Sequence, residues 1–163
     1  MKLGSGIADV VGLRQASVTV GLGCDGAACA NHFDGFEEMR LAAHLQKLKH
    51  GPDAFGGIDA LRLATSEGAQ AIGLGHAVGR IEVGYRADLV VLEPGRPELW
   101  GAEAADPHDL VAFSGSRGMV RDVVVGGEQL VADGRLVHLD LEEILAGATR
   151  VSHALVARSG LTL

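Results

Sequence analysis

The feature that most constrains this chain is the run VTVGLGCDG at residues 18–26. Its β-branched residues are typical of a buried strand, and three glycines interrupt its second half. Asp25 stands at its end. A carboxylate at the mouth of an apolar strand is unfavourable unless a metal ion, a cation, a transferable proton or a helix N-terminus interacts with it. Asp25 is therefore the first candidate functional residue.

Two interpretations of Asp25 follow from the local sequence. In the first, Asp25 is a turn or helix-capping residue, a position that aspartate often occupies. In the second, it lies at the carboxyl end of a barrel strand, which is the end where barrel enzymes carry their active sites. There the carboxylate could bind a divalent metal and accept a proton from water. The local sequence leaves both interpretations open.

The segment GLGCDG at residues 21–26 also matches the GxGxxG pattern of dinucleotide-binding sites. In such a site the backbone amides face a pyrophosphate, and Asp25 would bring a negative charge against that anion. The acidic strand end that should follow about 20 residues later does not occur in the sequence. The sequence therefore disfavours a nucleotide cofactor.

Composition narrows the class of protein and its partners. The 163 residues are 47% hydrophobic but only 4% aromatic, a balance that favours a folded α/β domain with buried parallel strands. A net charge of −7 disfavours nucleic acid and anionic membranes as partners. The two cysteines form no CxxC pair, and we expect neither a signal peptide nor a membrane-spanning helix from this sequence. These features predict a cytoplasmic protein with reduced thiols.

The other ionisable residues do not complete a site around Asp25. None of the seven histidines lies in an HxH, HxxxH or HExxH spacing, so each is expected at the surface. One carboxylate does not hold a zinc ion, so either the site is not a metal site or its other ligands lie outside this chain. Cys24 has no histidine nearby to activate it and is interpreted as a packing residue. The remaining charged candidates are expected on solvated helix faces or in structural ion pairs: Glu37, Glu38, Arg40 and Glu67.

Hydrophobic periodicity and turn residues predict the order of elements. Helices are expected over residues 10–16, 35–49, 58–72 and 140–156, with a loop over 94–107 and a helical turn or extended segment over 110–113. Strands are expected over residues 17–22, 89–92, 120–125, 128–132 and 135–139. The strand over 17–22 stands alone before residue 80, and a single parallel-type strand cannot bury both of its faces.

Several segments, in chain order, resemble the metal-dependent amidohydrolases. The most similar branch is the cytosine deaminase-like one, with the methylthioadenosine/adenosylhomocysteine, guanine and triazine deaminases. Three segments resemble the last barrel unit: KLGSGIA at 2–8, GLGCDGAA at 21–28 and FEEMR at 36–40. Four resemble the passage into a β-sandwich and its closing strands: ALRLAT at 60–65, GRIEVGYRADLVVL at 79–92, VRDVVVGG at 120–127 and VADGR at 131–135.

The resemblance implies an α/β fold: the last strand and helices of a TIM barrel followed by part of a small β-sandwich. Residues 1–78 would be the barrel part, 79–139 the partial sandwich, and 140–163 a C-terminal helix and tail. In the complete enzyme, metal-activated water would deaminate a purine, pyrimidine or triazine ring. Asp25 would bind the metal, zinc in preference to iron, and transfer a proton. The implied partners are a small heterocyclic substrate and, for the full-length protein, further copies of itself.

Three residues depart from the family pattern. Asp9 stands where proline is common, Cys24 where threonine is common, and Ala30 where asparagine is common. These departures affect the expected substrate. The resemblance also implies that Asn31 lies in the loop that borders the substrate pocket. None of them changes the expected role of Asp25.

The resemblance also identifies missing parts. The family's HxH strand, its later metal-binding histidines and its catalytic glutamate have no counterpart in this sequence. The chain resembles the C-terminal portion of a protein of roughly 400 residues or more, and we expect it to be inactive alone. Two alternatives stay open: a non-enzymatic binding or assembly module, and one subunit of a split amidohydrolase.

Overall fold

A computed structural model describes residues 3–93, 95 and 104–160 of the chain. Most of the predicted loop over 94–107 lies outside these residues. The described helices are α1 (Val10–Gln15), α2 (Ala27–Ala30), α3 (Gly35–His50), α4 (Gly57–Ala64), α5 (Ser66–Ala71), α6 (Pro107–Asp109) and α7 (Leu141–Ser159). The strands are β1 (Leu89–Leu92), β2 (Val120–Val125), β3 (Glu128–Ala132) and β4 (Arg135–Leu136). No helix in the described ranges is long and apolar enough to cross a bilayer.

The predicted strand over 17–22 is wrong, because no residue between 17 and 26 belongs to a strand. Ser17 has a left-handed φ of 60°, a conformation that does not occur within a regular strand. Val20, Leu22 and Cys24 are half-buried and alternate with exposed neighbours, as in a strand. A strand also needs a neighbouring strand to which its backbone is hydrogen-bonded, and the described residues provide none for this segment. We call residues 18–26 the extended segment.

The predicted helix over 58–72 is interrupted. It forms two helices, α4 and α5, which are separated at Thr65, where φ is −126° and ψ is −95°. The Thr65 hydroxyl donates a hydrogen bond to the Leu61 carbonyl at 2.6 Å, an i−4 bond that favours a bend. Gly68 then passes so close to the Leu63 carbonyl that a Cβ there would lie 2.7 Å from its oxygen.

The four strands form one antiparallel sheet in the order β1–β2–β3–β4. The β2–β3 hairpin turns at Gly126 and Gly127, whose φ values of 59° and 87° fit the predicted two-residue turn. Strand β4 ends at Leu136, short of the predicted 139, because the backbone bends at residues 137 and 138. Residues 110–114 form a π-helical turn, and a 3₁₀ turn precedes β2.

The core lies between the helices rather than on the sheet. Its buried members come from α1, α3, α4, the loop before α4 and the π-helical turn: Val10, Met39, Ala43, Phe55, Ala60, Leu63 and Ala112. Gln46 of α3 is only 2% exposed, and its amide joins α3 to the start of α1. It accepts a hydrogen bond from the Val11 amide and donates one to the Ala8 carbonyl.

Arg40 does not fit the expectation of a solvated or ion-paired residue. It is half-buried, and its guanidinium donates to two backbone carbonyls, Phe113 at 2.8 Å and Gly115 at 2.6 Å. These bonds attach α3 to the π-helical turn and satisfy carbonyls at its end. The sequence gives no local signal for such a contact, because the two parts lie more than seventy positions apart.

Arg14 joins three helices. Its guanidinium donates at 2.8 Å to Asp59 of α4 and at 2.8 Å to Glu67 of α5, and it lies 5.7 Å from the centre of the Phe55 ring. Burial is the largest single influence on the pKa of Asp59 and would raise it, but the hydrogen bonds from Arg14 and the Gly56 amide, together with the nearby positive charges, lower that pKa. The expectation of a structural ion pair is confirmed for Glu67.

We expect Arg14→Met to destabilise the fold by about 1–2 kcal/mol, because two partly buried carboxylates lose their donor. Urea unfolding measures this difference. Arg80→Met is the matched control, since Arg80 is exposed in a loop. Equal unfolding midpoints for the two variants would contradict a structural role for Arg14.

Asp9 connects the start of α1 to the end of α3. Its carboxylate accepts a hydrogen bond from the Gly12 amide at 3.0 Å, and it lies 3.1 Å from the Lys49 ammonium and 2.7 Å from the His50 ring. The hydrogen bond from Gly12, followed by that from Lys49, lowers the pKa of Asp9 from 3.8 to about 2. Its ionised form is therefore favoured in the folded chain.

The contribution of Asp9 to stability should depend on pH. Because its folded pKa is depressed, the contribution is complete above pH 3.8 and disappears as the pH falls toward 2. Urea midpoints of wild type and Asp9→Asn should thus differ at neutral pH and converge in acid. Asp53→Asn, at an exposed aspartate, is the control. A difference that stays constant down to pH 2 would contradict this prediction.

Candidate active site

Asp25 lies at the end of the extended segment, just before α2. Its φ of 55° is left-handed, a conformation that aspartate tolerates better than most residues. One carboxylate oxygen accepts a hydrogen bond from the Gly26 amide at 2.6 Å, and the residue is exposed. The turn therefore holds the carboxylate at the surface, in front of a short helix.

An open pocket of about 250 Å³ lies beside Asp25. The loop before α1 forms one wall, the end of the extended segment forms the second, and α2 and α3 form the rest. Lining residues are Leu3, Gly4, Ser5, Gly6, Gly23, Cys24, Asp25, Cys29, Ala30, Glu38, Leu41 and Leu45. The pocket combines polar groups with apolar side chains, which suits a small ligand that carries hydrogen-bonding groups.

Glu38, which the sequence predicted on a solvated helix face or in a structural ion pair, lines the pocket. Asp34 caps α3 by accepting hydrogen bonds from the amides of Phe36 and Glu37, and this cap starts the helix three residues before Glu38. Glu38, Leu41 and Leu45 then line the pocket at spacings of three and four residues. In the sequence, this spacing was the signal that could have placed Glu38 on the same side of α3 as the two leucines.

Both cysteines are free and half-buried in the pocket wall. Cys24 therefore lies beside the candidate carboxylate. Ala30, one of the departures from the family pattern, is in the same wall. Asn31 follows it and ends α2 with a left-handed φ of 66°.

The residues around Asp25 do not form a complete metal site. Within the described ranges, no group of three or more His, Cys, Asp or Glu side chains is arranged to hold a metal ion. A zinc ion in a protein normally needs at least three such ligands. The described residues therefore do not bring three such ligands together.

The extended segment is held in place by the break between α4 and α5. The Leu22 amide donates a hydrogen bond to the Leu63 carbonyl at 3.1 Å, and Val20 and Leu22 pack against the core. Gly21 passes so close to α5 that a Cβ on it would lie 2.9 Å from the Gly68 Cα. Gly21 and Gly68 thus allow the extended segment and α5 to come into backbone contact. This contact lies four residues before Asp25.

Comparison with known proteins places this geometry in a family. The model of the amidohydrolase family matches residues 1–130. The chain belongs to the amidohydrolase family. Within it, a 5-methylthioadenosine/S-adenosylhomocysteine deaminase from Pelotomaculum thermopropionicum is 41% identical over 162 residues, which are 97% of this chain and 36% of that protein. The resemblance stated from the sequence is confirmed.

Solved structures agree with the family. A zinc-bound adenosine deaminase from Xanthomonas campestris superposes with a TM-score of 0.90 at 31% identity, over 96% of this chain and 35% of that one. A mutant atrazine chlorohydrolase from Arthrobacter aurescens TC1, complexed with zinc and atraton, superposes with a TM-score of 0.81 at 29% identity. The match covers 91% of this chain and 33% of that one. This amidohydrolase chain is therefore a mixed α/β unit that spans about a third of the length of the relatives it matches.

The position of the extended segment can be tested with a pair of glycine variants. Gly21→Ala should destabilise the chain by about 1–3 kcal/mol, because the new methyl group meets the backbone of Gly68. Gly23→Ala is the control, since a Cβ there has no atom within 4 Å, and it should change stability by less than ~0.5 kcal/mol. Urea unfolding measures both. Equal effects would contradict the close approach.

Proposed function

We propose that this chain is the last β/α unit of an amidohydrolase TIM barrel together with part of its β-sandwich. The extended segment supports this proposal, since its side chains alternate as in a strand while its backbone pairs with no strand among the described residues. A barrel strand removed from its neighbours would have these properties. The four-stranded sheet would be the sandwich part.

In the complete enzyme, the proposed reaction is the hydrolytic deamination of a heterocyclic amine. Water replaces the exocyclic amino group of a purine, pyrimidine or triazine ring, and ammonia leaves. The observation that carries this proposal is the position of Asp25, which lines the pocket at the end of the extended segment. Curated relatives that carry the name 5-methylthioadenosine/S-adenosylhomocysteine deaminase support the substrate class.

A divalent metal, zinc in preference to iron, would supply the activated water of the complete enzyme. Solved relatives with bound zinc support this choice. Of the described residues, Asp25 would be its ligand, and the other ligands would come from polypeptide outside this chain. The second role of Asp25 would be to take a proton from the attacking water and release it to the departing amine.

The pocket wall would orient the ring of the substrate. Leu41 and Leu45 offer an apolar surface, and Glu38 and Ser5 offer groups that can bind ring nitrogens or hydroxyls. Cys24, where the family commonly has threonine, would leave this wall without a hydroxyl beside Asp25. The thiol is a weaker hydrogen-bond donor, so this difference bears on the choice of substrate.

Two experiments test the proposal. The 163-residue chain with added zinc should show no deaminase activity on adenine, guanine or cytosine compounds. Co-expression with the first two thirds of the Pelotomaculum thermopropionicum deaminase should restore activity if the chain supplies the missing portion. In that complex Asp25→Asn should lower kcat by roughly 10³-fold, because a ligand and proton-transfer group is lost.

Asp133→Asn is the matched control for Asp25→Asn. Asp133 also lies in an exposed turn with a left-handed φ, 48°, but in the β3–β4 hairpin. The Asp133→Asn variant of the complex should have the same kcat as the wild-type complex. Turnover by the chain alone would contradict its incompleteness, and an active Asp25→Asn complex would contradict the role of the carboxylate.

A further inference from the structure

The sequence contains three Asp–Gly pairs, and the structure holds them in three different ways. They are Asp25–Gly26, Asp34–Gly35 and Asp133–Gly134. In an Asp–Gly pair the backbone nitrogen can attack the aspartate side chain more easily than in other pairs, because glycine has no Cβ to shield its amide. In a folded protein the rate of such a reaction depends on how closely the nitrogen approaches the side-chain carbon. The three pairs can therefore be compared within one chain.

In the first pair the two reacting groups are already in contact. The Gly26 amide donates a hydrogen bond to one carboxylate oxygen of Asp25, with 2.6 Å between the nitrogen and that oxygen. The nitrogen must therefore be close to Cγ, to which the oxygen is bonded. Asp25 is exposed, so water reaches the turn. The structure thus places the groups of an intramolecular cyclisation side by side.

The second pair is held in an unreactive arrangement. The Asp34 carboxylate caps α3 by accepting hydrogen bonds from the amides of Phe36 and Glu37. It therefore reaches past the Gly35 amide. The Arg117 guanidinium also lies 3.1 Å from this carboxylate, and the Asp34 side chain is only 13% exposed. Turning the carboxyl group back toward the Gly35 nitrogen would break both the helix cap and the ion pair.

The third pair is exposed like the first, but its glycine amide has another acceptor. Asp133 has a left-handed φ of 48°, close to the 55° of Asp25, and it is also exposed. The Gly134 amide, however, donates a hydrogen bond to the Arg121 carbonyl of β2 at 2.7 Å. This bond fixes the Gly134 nitrogen against the neighbouring strand. The first and third pairs thus differ in what the glycine amide contacts.

We propose that the Asp25–Gly26 bond is a site of isoaspartate formation. The Gly26 nitrogen attacks Cγ of Asp25, and the carboxyl hydroxyl and the amide hydrogen leave together as water. The new N–Cγ bond closes a succinimide ring. Water then opens the ring at one of its two carbonyls. Opening at Cγ restores aspartate, whereas opening at the backbone carbonyl of Asp25 leaves the chain joined through Cβ. The isomerisation needs no oxidant or reductant.

The rearrangement would change the candidate site. In isoaspartate the free carboxylate is bonded to Cα instead of Cβ, and the backbone is longer by a methylene group. Both changes would take the carboxylate from its place in the pocket wall. The loss of a metal ligand rests on the proposed function of Asp25. The modification itself rests only on the geometry of the turn.

Incubation of the full 163-residue chain in heavy-oxygen water measures the reaction, because each ring opening leaves a heavy oxygen atom on the aspartate. After several weeks at physiological pH and temperature, peptide mass spectrometry should find at least about tenfold more label at Asp25 than at Asp34 or Asp133. In denaturing guanidinium chloride the three sites should become similar, because the contacts that distinguish them are lost. A protease that cleaves before aspartate but not before isoaspartate identifies the rearranged product.

Gly26→Ala tests the attacking group. A Cβ at Gly26 has no atom within 4 Å, and the φ of −72° suits alanine, so the variant should fold like the wild type. Its methyl group hinders the approach of the nitrogen and should lower the labelling of Asp25 about tenfold. Gly35→Ala is the matched control, since a Cβ there also has no atom within 4 Å. It should leave the labelling of Asp25 unchanged.

Three results would overturn the proposal: equal labelling of the three aspartates in the folded chain, the same order of labelling in the folded and denatured chains, or unchanged labelling of Asp25 in Gly26→Ala. A further measurement separates the modification from the proposed function. In the zinc-loaded complex with the first two thirds of the Pelotomaculum thermopropionicum deaminase, labelling of Asp25 should be slower than in the chain alone. Equal rates there would contradict the ligand role of Asp25, while the labelling of the chain alone would still decide the modification.

Discussion

The structure depends on a close backbone contact between the extended segment and the helices. Gly21 lies against Gly68, and the Leu22 amide donates to the Leu63 carbonyl. Both contacts exist because the chain breaks between α4 and α5, which leaves the Leu63 carbonyl close to both backbones. The extended segment, which has the residues of a buried strand, is thus fixed by helices on one side. Its C-terminal end, just before α2, places Asp25 at the pocket.

The sequence predicted correctly those elements that are determined by neighbouring residues, such as helix caps and hairpin turns. The Asp34 and Asp140 caps start α3 and α7 within a residue of the expected positions, and the Gly126–Gly127 turn aligns β2 with β3. The break at Thr65 was not predicted, because a threonine inside an apolar helical period gives little warning of it. The strand over 17–22 failed for a different reason: its residues have strand character, but a strand requires a partner that the described chain does not supply.

For the candidate site, the sequence identified Asp25, and the structure adds Glu38 and the cysteines to the same pocket. The sequence did not indicate Glu38 as a pocket residue, because a charged residue early in a helix is usually explained by solvent and the helix dipole. It also missed the contacts of Arg40 with carbonyls near residue 114, since such contacts depend on how distant segments pack. The family resemblance, by contrast, was readable because short motifs recur in the same order.

Asp25 is proposed to be one ligand of a site whose other ligands come from polypeptide outside this chain. Zinc stoichiometry after dialysis tests this most directly, because it measures ligation without requiring turnover. The chain alone should retain far less than a full equivalent of zinc, and its complex with the first two thirds of the Pelotomaculum thermopropionicum deaminase should retain a full equivalent that Asp25→Asn reduces. Stoichiometric zinc in the chain alone, or unchanged zinc in the Asp25→Asn complex, would contradict it.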